Sequence, residues 1–132
     1  MVTRLTSIPI ALVALMLAAP GANAAADPRS GHDCFRTNSW DGWSAPGAGD
    51  VLYLRVDRHD VFRVDLSPGT HVRKEPGRFL VNRVRGSNWI CSPLDLDLTL
   101  SDHSRFQEAL IARSLRKLTP AEIAAIPRKD LP

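Results

Sequence analysis

The chain has 132 residues, with 17 lysines and arginines against 14 aspartates and glutamates, for a formal net charge of +3. That length suits one domain with a modest core, and the near balance of charge argues against a dedicated binder of nucleic acid or of anionic membranes. With two cysteines and no C-x-x-C pair, the sequence offers no thiol pair spaced for metal or redox chemistry.

Residues 1–24 read as a secretory signal peptide. Arg4 supplies the positive start, Ile8 to Ala19 the apolar run, and Ala22-Asn23-Ala24 the small-residue cleavage site before Ala25. The apolar run falls short of the ~20 residues that cross a bilayer, and no cysteine follows it to carry a lipid. Taking 24 residues from 132 leaves 108; removing Arg4 leaves 16 basic residues against 14 acidic. Ala25 to Asp33 is small, polar and turn-prone, so the reading is a disordered leader.

In an exported chain two cysteines predict a disulfide, here Cys34 to Cys91, with loop closure contributing about 4 kcal/mol. Cys34 to Trp43 contains the first expected strand, stopped by Asp41-Gly42. Ser44 to Asp50 is a loop. Val51 to Leu66 alternates as a hairpin, and keeping both apolar sets on one face requires a turn with an odd number of residues. Arg58 to Asp60 meets that requirement, placing Val56 opposite Phe62, Leu54 opposite Val64 and Arg55 opposite Arg63. Asp57 and Asp65 then lie on the diagonals as a solvated charge lattice.

After a turn at Ser67 to Thr70 and a surface loop, Phe79 to Arg85 is a strand and Trp89-Ile90 reaches the core or its rim. Ser92-Pro93 bends the chain. Leu94 to Leu100 (LDLDLTL) alternates, predicting four leucines inward and Asp95, Asp97 and Thr99 outward. Arg105 to Leu118 is ambiguous between strand and helix. Ser104 and Gln107 have the spacing of a capping box, and Phe106 and Leu110 suit a helix. Thr119-Pro120-Ala121-Glu122 opens a short helix with Ile123 and Ile126 inward, and Pro127 stops it. The domain therefore spans 34–127, with 128–132 a loose tail.

Several segments carry a resemblance. Cys34-Phe35, a tryptophan ahead of D-V-L-Y-L (Asp50 to Leu54), R-G-S-N-W-I-C-S-P-L-D (Arg85 to Asp95) and K-L-T-P-A-E-I-A-A-I-P (Lys117 to Pro127) resemble the DUF6491-like family of small exported proteobacterial proteins, to which no activity is attached. The resemblance covers the mature chain from Cys34 to about Pro127. It implies a strand over Ile111 to Leu118 leading directly into the helix, and it carries over no catalytic or ligand residue.

The expected fold is mainly β, a small antiparallel sheet or partly closed barrel with one short C-terminal helix. No catalytic, cofactor-binding or metal residue is assigned. His32, His59, His71 and His103 are widely spaced in polar loops, and Asp95 with Asp97 reads as a solubilising pair rather than a metal pair. The candidate ligand patch is Trp40, Trp43, Arg83, Arg85 and Trp89, arginine plus aromatic being the composition of an anion-binding groove. The expected role is a non-enzymatic periplasmic interaction or structural module with an envelope or extracellular partner. No cofactor, nucleic acid or retained transmembrane segment is expected. The alternatives are a small hydrolase using loop histidines and a ligand-binding module using the tryptophans and the basic strand. Terminal sequencing of the exported protein is expected to begin at or near Ala25, and a retained Met1 would overturn the export reading.

Overall fold

The computed structural model describes residues 33–47 and 49–132, so the signal-peptide reading and the leader before Asp33 lie outside the described residues. A short β1 (Phe35–Arg36) is followed by one 3-10 turn and β2 (Trp40–Ser44). Next come β3 (Val51–Val56), β4 (Asp60–Leu66), β5 (Arg78–Asn82), β6 (Trp89–Ile90), β7 (Leu98–Asp102), β8 (Gln107–Leu110) and β9 (Ala112–Lys117). The helix α1 (Pro120–Ala125) comes last. The strands form a four-stranded sheet in the order β2-β3-β4-β9, a three-stranded sheet β5-β7-β8 and a ribbon β1-β6, all antiparallel. The described strands do not close into a barrel.

The two larger sheets share one core. Leu52, Leu54 and Val56 on β3 and Phe62, Val64 and Leu66 on β4 meet Leu98, Leu100 and Leu110, with Phe35, Val72 and Ile90 filling the remainder. Period-2 alternation put these side chains on one face, as their sequence pattern predicts. The disulfide Cys34–Cys91 is present, with Cα atoms 4.3 Å apart, at the end of the β1-β6 ribbon.

Where expectation and structure differ, a local polar group decides the outcome. The hairpin turn does hold an odd number of residues, but they are Asp57 to His59, so Leu54 faces Phe62, Leu52 faces Val64 and Arg55 faces Val61. Asp57 and Arg58 take positive φ (50° and 69°), the sense that matches strand twist in a tight hairpin. Asp60 stays in the strand, where its carboxylate receives Lys117 Nζ at 2.6 Å. The expected Arg55–Arg63 juxtaposition is therefore absent. Arg63 instead faces Arg116 across β4-β9, each arginine being held by its own carboxylate, Asp65 at 2.8 Å and Glu122 at 2.8 Å.

Leu94 is not inward; it is 93% exposed, and only Leu96, Leu98 and Leu100 point into the core. Asp95 is the reason: its carboxylate accepts the Cys91 and Ser92 backbone N–H groups at 2.9 Å each, curling Pro93–Asp95 into a 3-10 turn before the strand begins. The helix alternative over Ser104 to Leu110 is likewise overturned. Asp102 accepts from the Ser104 N–H and hydroxyl and from the Phe106 N–H, and Arg105 takes φ 73°, so the chain turns back as the β7-β8 hairpin. The strand expected over Ile111 to Leu118 forms as β9, and Thr119 and Glu122 make the predicted capping box. Nor does β2 stop at Asp41-Gly42; it runs through them.

The segment expected to be a loose tail is tied down. The Ser44 hydroxyl donates to the Asp130 carbonyl at 2.5 Å and Arg55 Nη1 to the Pro132 backbone oxygen at 2.9 Å. Together with Arg116–Glu122 these bonds run the C-terminal segment across the outer face of the four-stranded sheet, where Val61 and Leu118 are buried outside the main core.

Leu98→Ala is expected to lose about 2–5 kcal/mol, because a fully buried leucine leaves a cavity. Leu94→Ala should change stability by less than about 0.5 kcal/mol. Chemical denaturation of the two variants checks this, and equal losses would refute the inward–outward assignment.

Candidate functional site

A crevice of about 320 Å³ lies where β2 and β5, each at an edge of its own sheet, face one another. Trp40 and Trp43 stand on one side of it, Leu80 and Asn82 on the other, with Thr37, Asp41 and Gly42 completing the lining. Two tryptophans three residues apart would lie on opposite faces of a regular strand. A bulge between Trp40 and Gly42 restores them to one: Trp40 pairs with Val56 and Trp43 with Leu54, both inward positions of β3.

Gly42 leaves the Arg55 side chain room in the same geometry. A Cβ there would lie 3.0 Å from Arg55 Nη2, because the Arg55 guanidinium crosses β2 to reach Asp41. Arg55 Nε donates to Asp41 Oδ1 at 2.7 Å and Nη2 to the Asp41 carbonyl at 3.3 Å. The bond from Arg55 holds the Asp41 carboxyl below its ordinary range.

The remaining polar groups around the crevice are of two kinds. Trp40 Nε1 donates to the Gly42 carbonyl at 2.7 Å, and Lys74 Nζ donates to the Trp43 carbonyl at 2.8 Å while lying 5.7 Å from the Trp43 ring. Those donors are engaged. Asn82 differs: its Oδ1 accepts the Asp97 N–H at 2.9 Å, which fixes the amide orientation, and its buried Nδ2 has no hydrogen-bond partner. An unmatched buried donor is costly, so it marks a place where an acceptor is wanted.

The structure divides the sequence-predicted patch. Trp40 and Trp43 come together, whereas Trp89 lies outside the crevice lining with the Arg36 guanidinium 4.7 Å from its ring. Arg85 is exposed and paired with Asp97 at 2.7 Å. Arg83 lines a separate shallow hollow on the outer face of the three-stranded sheet with Phe79, Val81 and Thr99. Sequence reasoning missed Asn82 and Leu80. The signal available was the parity of β5, which puts 80 and 82 on one face, but no pattern shows which edge of the other sheet they meet.

Among the described histidines, His59 lies in the β3-β4 turn, 3.8 Å from Asp60 Oδ1, and His71 precedes β5. His103 tilts against the Phe79 ring at 5.6 Å. Asp95 and Asp97 do not share a face, since one caps a turn and the other pairs with Arg85. No group of three or more His, Cys, Asp or Glu that could hold a metal occurs among the described residues. A larger, mostly apolar hollow of about 540 Å³ lies between α1 and the β3-β4 turn, lined by His59, Asp60, Lys117, Leu118, Pro120, Ile123 and Ala124.

Comparison of the chain with family models, curated proteins and solved structures returned no match.

The resolved carboxyl shifts all run downward, each through structural bonds. Partial burial pushes Asp65 up, but the Ser114 hydroxyl and Arg63 outweigh it. Glu122 is lowered by the Thr119 backbone N–H and by Arg116, and Asp102 by Ser104. A carboxyl lowered in the native state leaves the unfolded chain binding more protons as acid is added. Stability is therefore fully present above the unfolded carboxylate range, about pH 4, and lost as pH falls through it toward the native values. The melting temperature should hold steady from neutral pH down to about pH 5 and then drop. Glu122→Gln and Asp65→Asn should each flatten the drop; an unchanged acid limb in both variants would refute these assignments.

Proposed function

We propose that the chain is an exported, non-enzymatic binding module whose ligand enters the crevice between β2 and β5. The observation that carries this reading is the unpartnered Asn82 Nδ2 beside Trp40 and Trp43 in a concave, partly apolar space. A small number of polar groups among aromatic surfaces is the usual make-up of a ligand site, and tryptophan gives large contact area at little entropic cost. Export rests on residues 1–24 of the sequence, and the Cys34–Cys91 bond fits the oxidising compartment that export implies. Membership of the DUF6491-like family is part of the same proposal. It rests on the Arg85 to Asp95 and Lys117 to Pro127 segments, whose cysteine, capping turn and helix cap have structural roles.

The hydrolase reading has less behind it, because the described histidines sit in three different loops and the lowered carboxyls serve caps and ion pairs. To test the proposal, isotope-labelled mature protein is titrated with fractions of an envelope extract and followed by amide and indole NMR. At least one fraction should shift the Trp40 and Trp43 indoles and the Asn82 side-chain amide in a saturable way, and Trp43→Ala should weaken that response. Responses confined to the outer faces, or none at all, would overturn the proposed site.

A further inference from the structure

The backbone of β5 says what kind of ligand the crevice takes, granted the binding reading above. Arg83 N–H donates to the Asp97 carbonyl at 2.9 Å, and the β5-β7 register pairs 82 with 98, 81 with 99 and 80 with 100. In an antiparallel ladder the bonded residues alternate. Residues 79, 81 and 83 therefore spend their backbone groups on β7, while the N–H and C=O of Leu80 and Asn82 point away from the sheet. None of the backbone bonds made outside the ladders engages Leu80 or Asn82 among the described residues. The side chains of these same two residues line the crevice.

The opposite edge is irregular and partly engaged. On β2 the carbonyls of Gly42 and Trp43 already accept from the Trp40 indole and Lys74, and the bulge breaks the strand's regularity. Only β5 thus offers a row of free backbone groups along this seam. The rim is basic. From Arg73 to Arg85 stand five cationic residues and one acidic residue, Glu75. Arg78 is paired with Glu75 and Arg85 with Asp97, while Arg73 and Arg83 are in no ion pair among the described residues. On the outer face Phe79 and Val81 are 40% and 41% exposed, apolar surface beside the same edge.

We propose that β5 takes on an extended, acidic polypeptide as an added strand, its alternate apolar side chains entering the Trp40/Trp43 crevice. Backbone bonds to Leu80 and Asn82 would supply affinity, and the crevice and the arginines flanking β5 selectivity. The bonded residues on β5 face inward, so antiparallel addition places inward-facing residues of the peptide against them.

The test uses the full mature chain and the synthetic peptide acetyl-Glu-Val-Glu-Leu-Glu-Val-Glu-amide. Two N-methylated analogues of it carry three N-methyl groups on the Val and Leu residues or two on the inner Glu residues. The parent peptide should bind saturably, shift the Trp40 and Trp43 indoles and weaken as salt rises. Methylating one alternate set should lower affinity by about tenfold or more, since it removes the bonds to β5, while methylating the other should change it by less than about threefold. A lysine-for-glutamate peptide should bind more weakly than the parent.

Equal effects of the two methylated analogues would overturn strand addition while leaving ligand binding at the crevice intact. So would the absence of any peptide response from a protein whose indoles still answer an envelope fraction containing only saccharide or lipid. Self-association through β5 that the peptide does not displace would also overturn it, because the occupant would then be a second copy. Silence of the indoles toward peptide and every extract fraction alike would instead remove the underlying binding reading.

Discussion

The Cys34–Cys91 bond is the constraint on which the sheet arrangement depends. It joins positions 57 residues apart, before β1 and after β6, and so fixes the ribbon that connects the two larger sheets. The residues immediately inside it, Phe35 and Ile90, are both buried, and the Phe35 ring meets Phe62 of β4 at 4.7 Å between centroids. A two-residue ribbon has too few ladder bonds to persist alone. With its ends joined and its side chains seated in the core, it anchors the turn that leads to the Trp40 bulge and the cap that precedes β7. The covalent bond and the apolar packing thus act on the same few residues, and oxidation and folding are coupled through them.

What could be read from the sequence was whatever depended on parity. The inward sets of β3 and β4, the burial of Leu98 and Leu100, and the Thr119–Glu122 cap all follow from a period or a fixed spacing, so they survive errors in the exact ends of elements. What could not be read depended on single polar groups choosing local partners. Asp95 and Asp102 each gather backbone N–H groups and convert residues that alternate, or that look helical, into turns. The hairpin kept its parity while shifting register, because Asp57 and Arg58 accept positive φ and Asp60 then meets Lys117. The site was half legible: tryptophans at 40 and 43 were conspicuous, but only the bulge brings them to one face, and no sequence period encodes it.

The aspartates show why a chain with many carboxylates offers so little acid–base chemistry. Asp41 is held by Arg55, Asp65 by Ser114 and Arg63, Asp95 by a turn and Asp102 by a hairpin, and in each the bonding lowers the carboxyl and stabilises its ionised form. A general base is most useful with its pKa near the working pH, which requires a shift in the opposite direction. These groups are spent on shape. Outside these groups, packing, stacking and backbone pairing remain open to the fold.

The contrast between the two edge strands gives that last point its direction. An unpaired edge invites association with other chains, and folds usually blunt it with a lysine, a bulge or a covering segment. β2 has the first two, since Lys74 caps the Trp43 carbonyl and the bulge sits at Trp40 to Gly42. The bridge between Gly49 and Val72 brings the Lys74 segment alongside β2, with Val72 N–H bonded to the Gly49 carbonyl at 3.0 Å. β5, on the other side of the same crevice, has flanking arginines but leaves Leu80 and Asn82 without ladder partners on that side, next to exposed Phe79 and Val81. One edge of the seam is protected and the other is left open, within reach of an unmatched amide and two indoles. An asymmetry of that kind gives this seam one side on which a strand can be added.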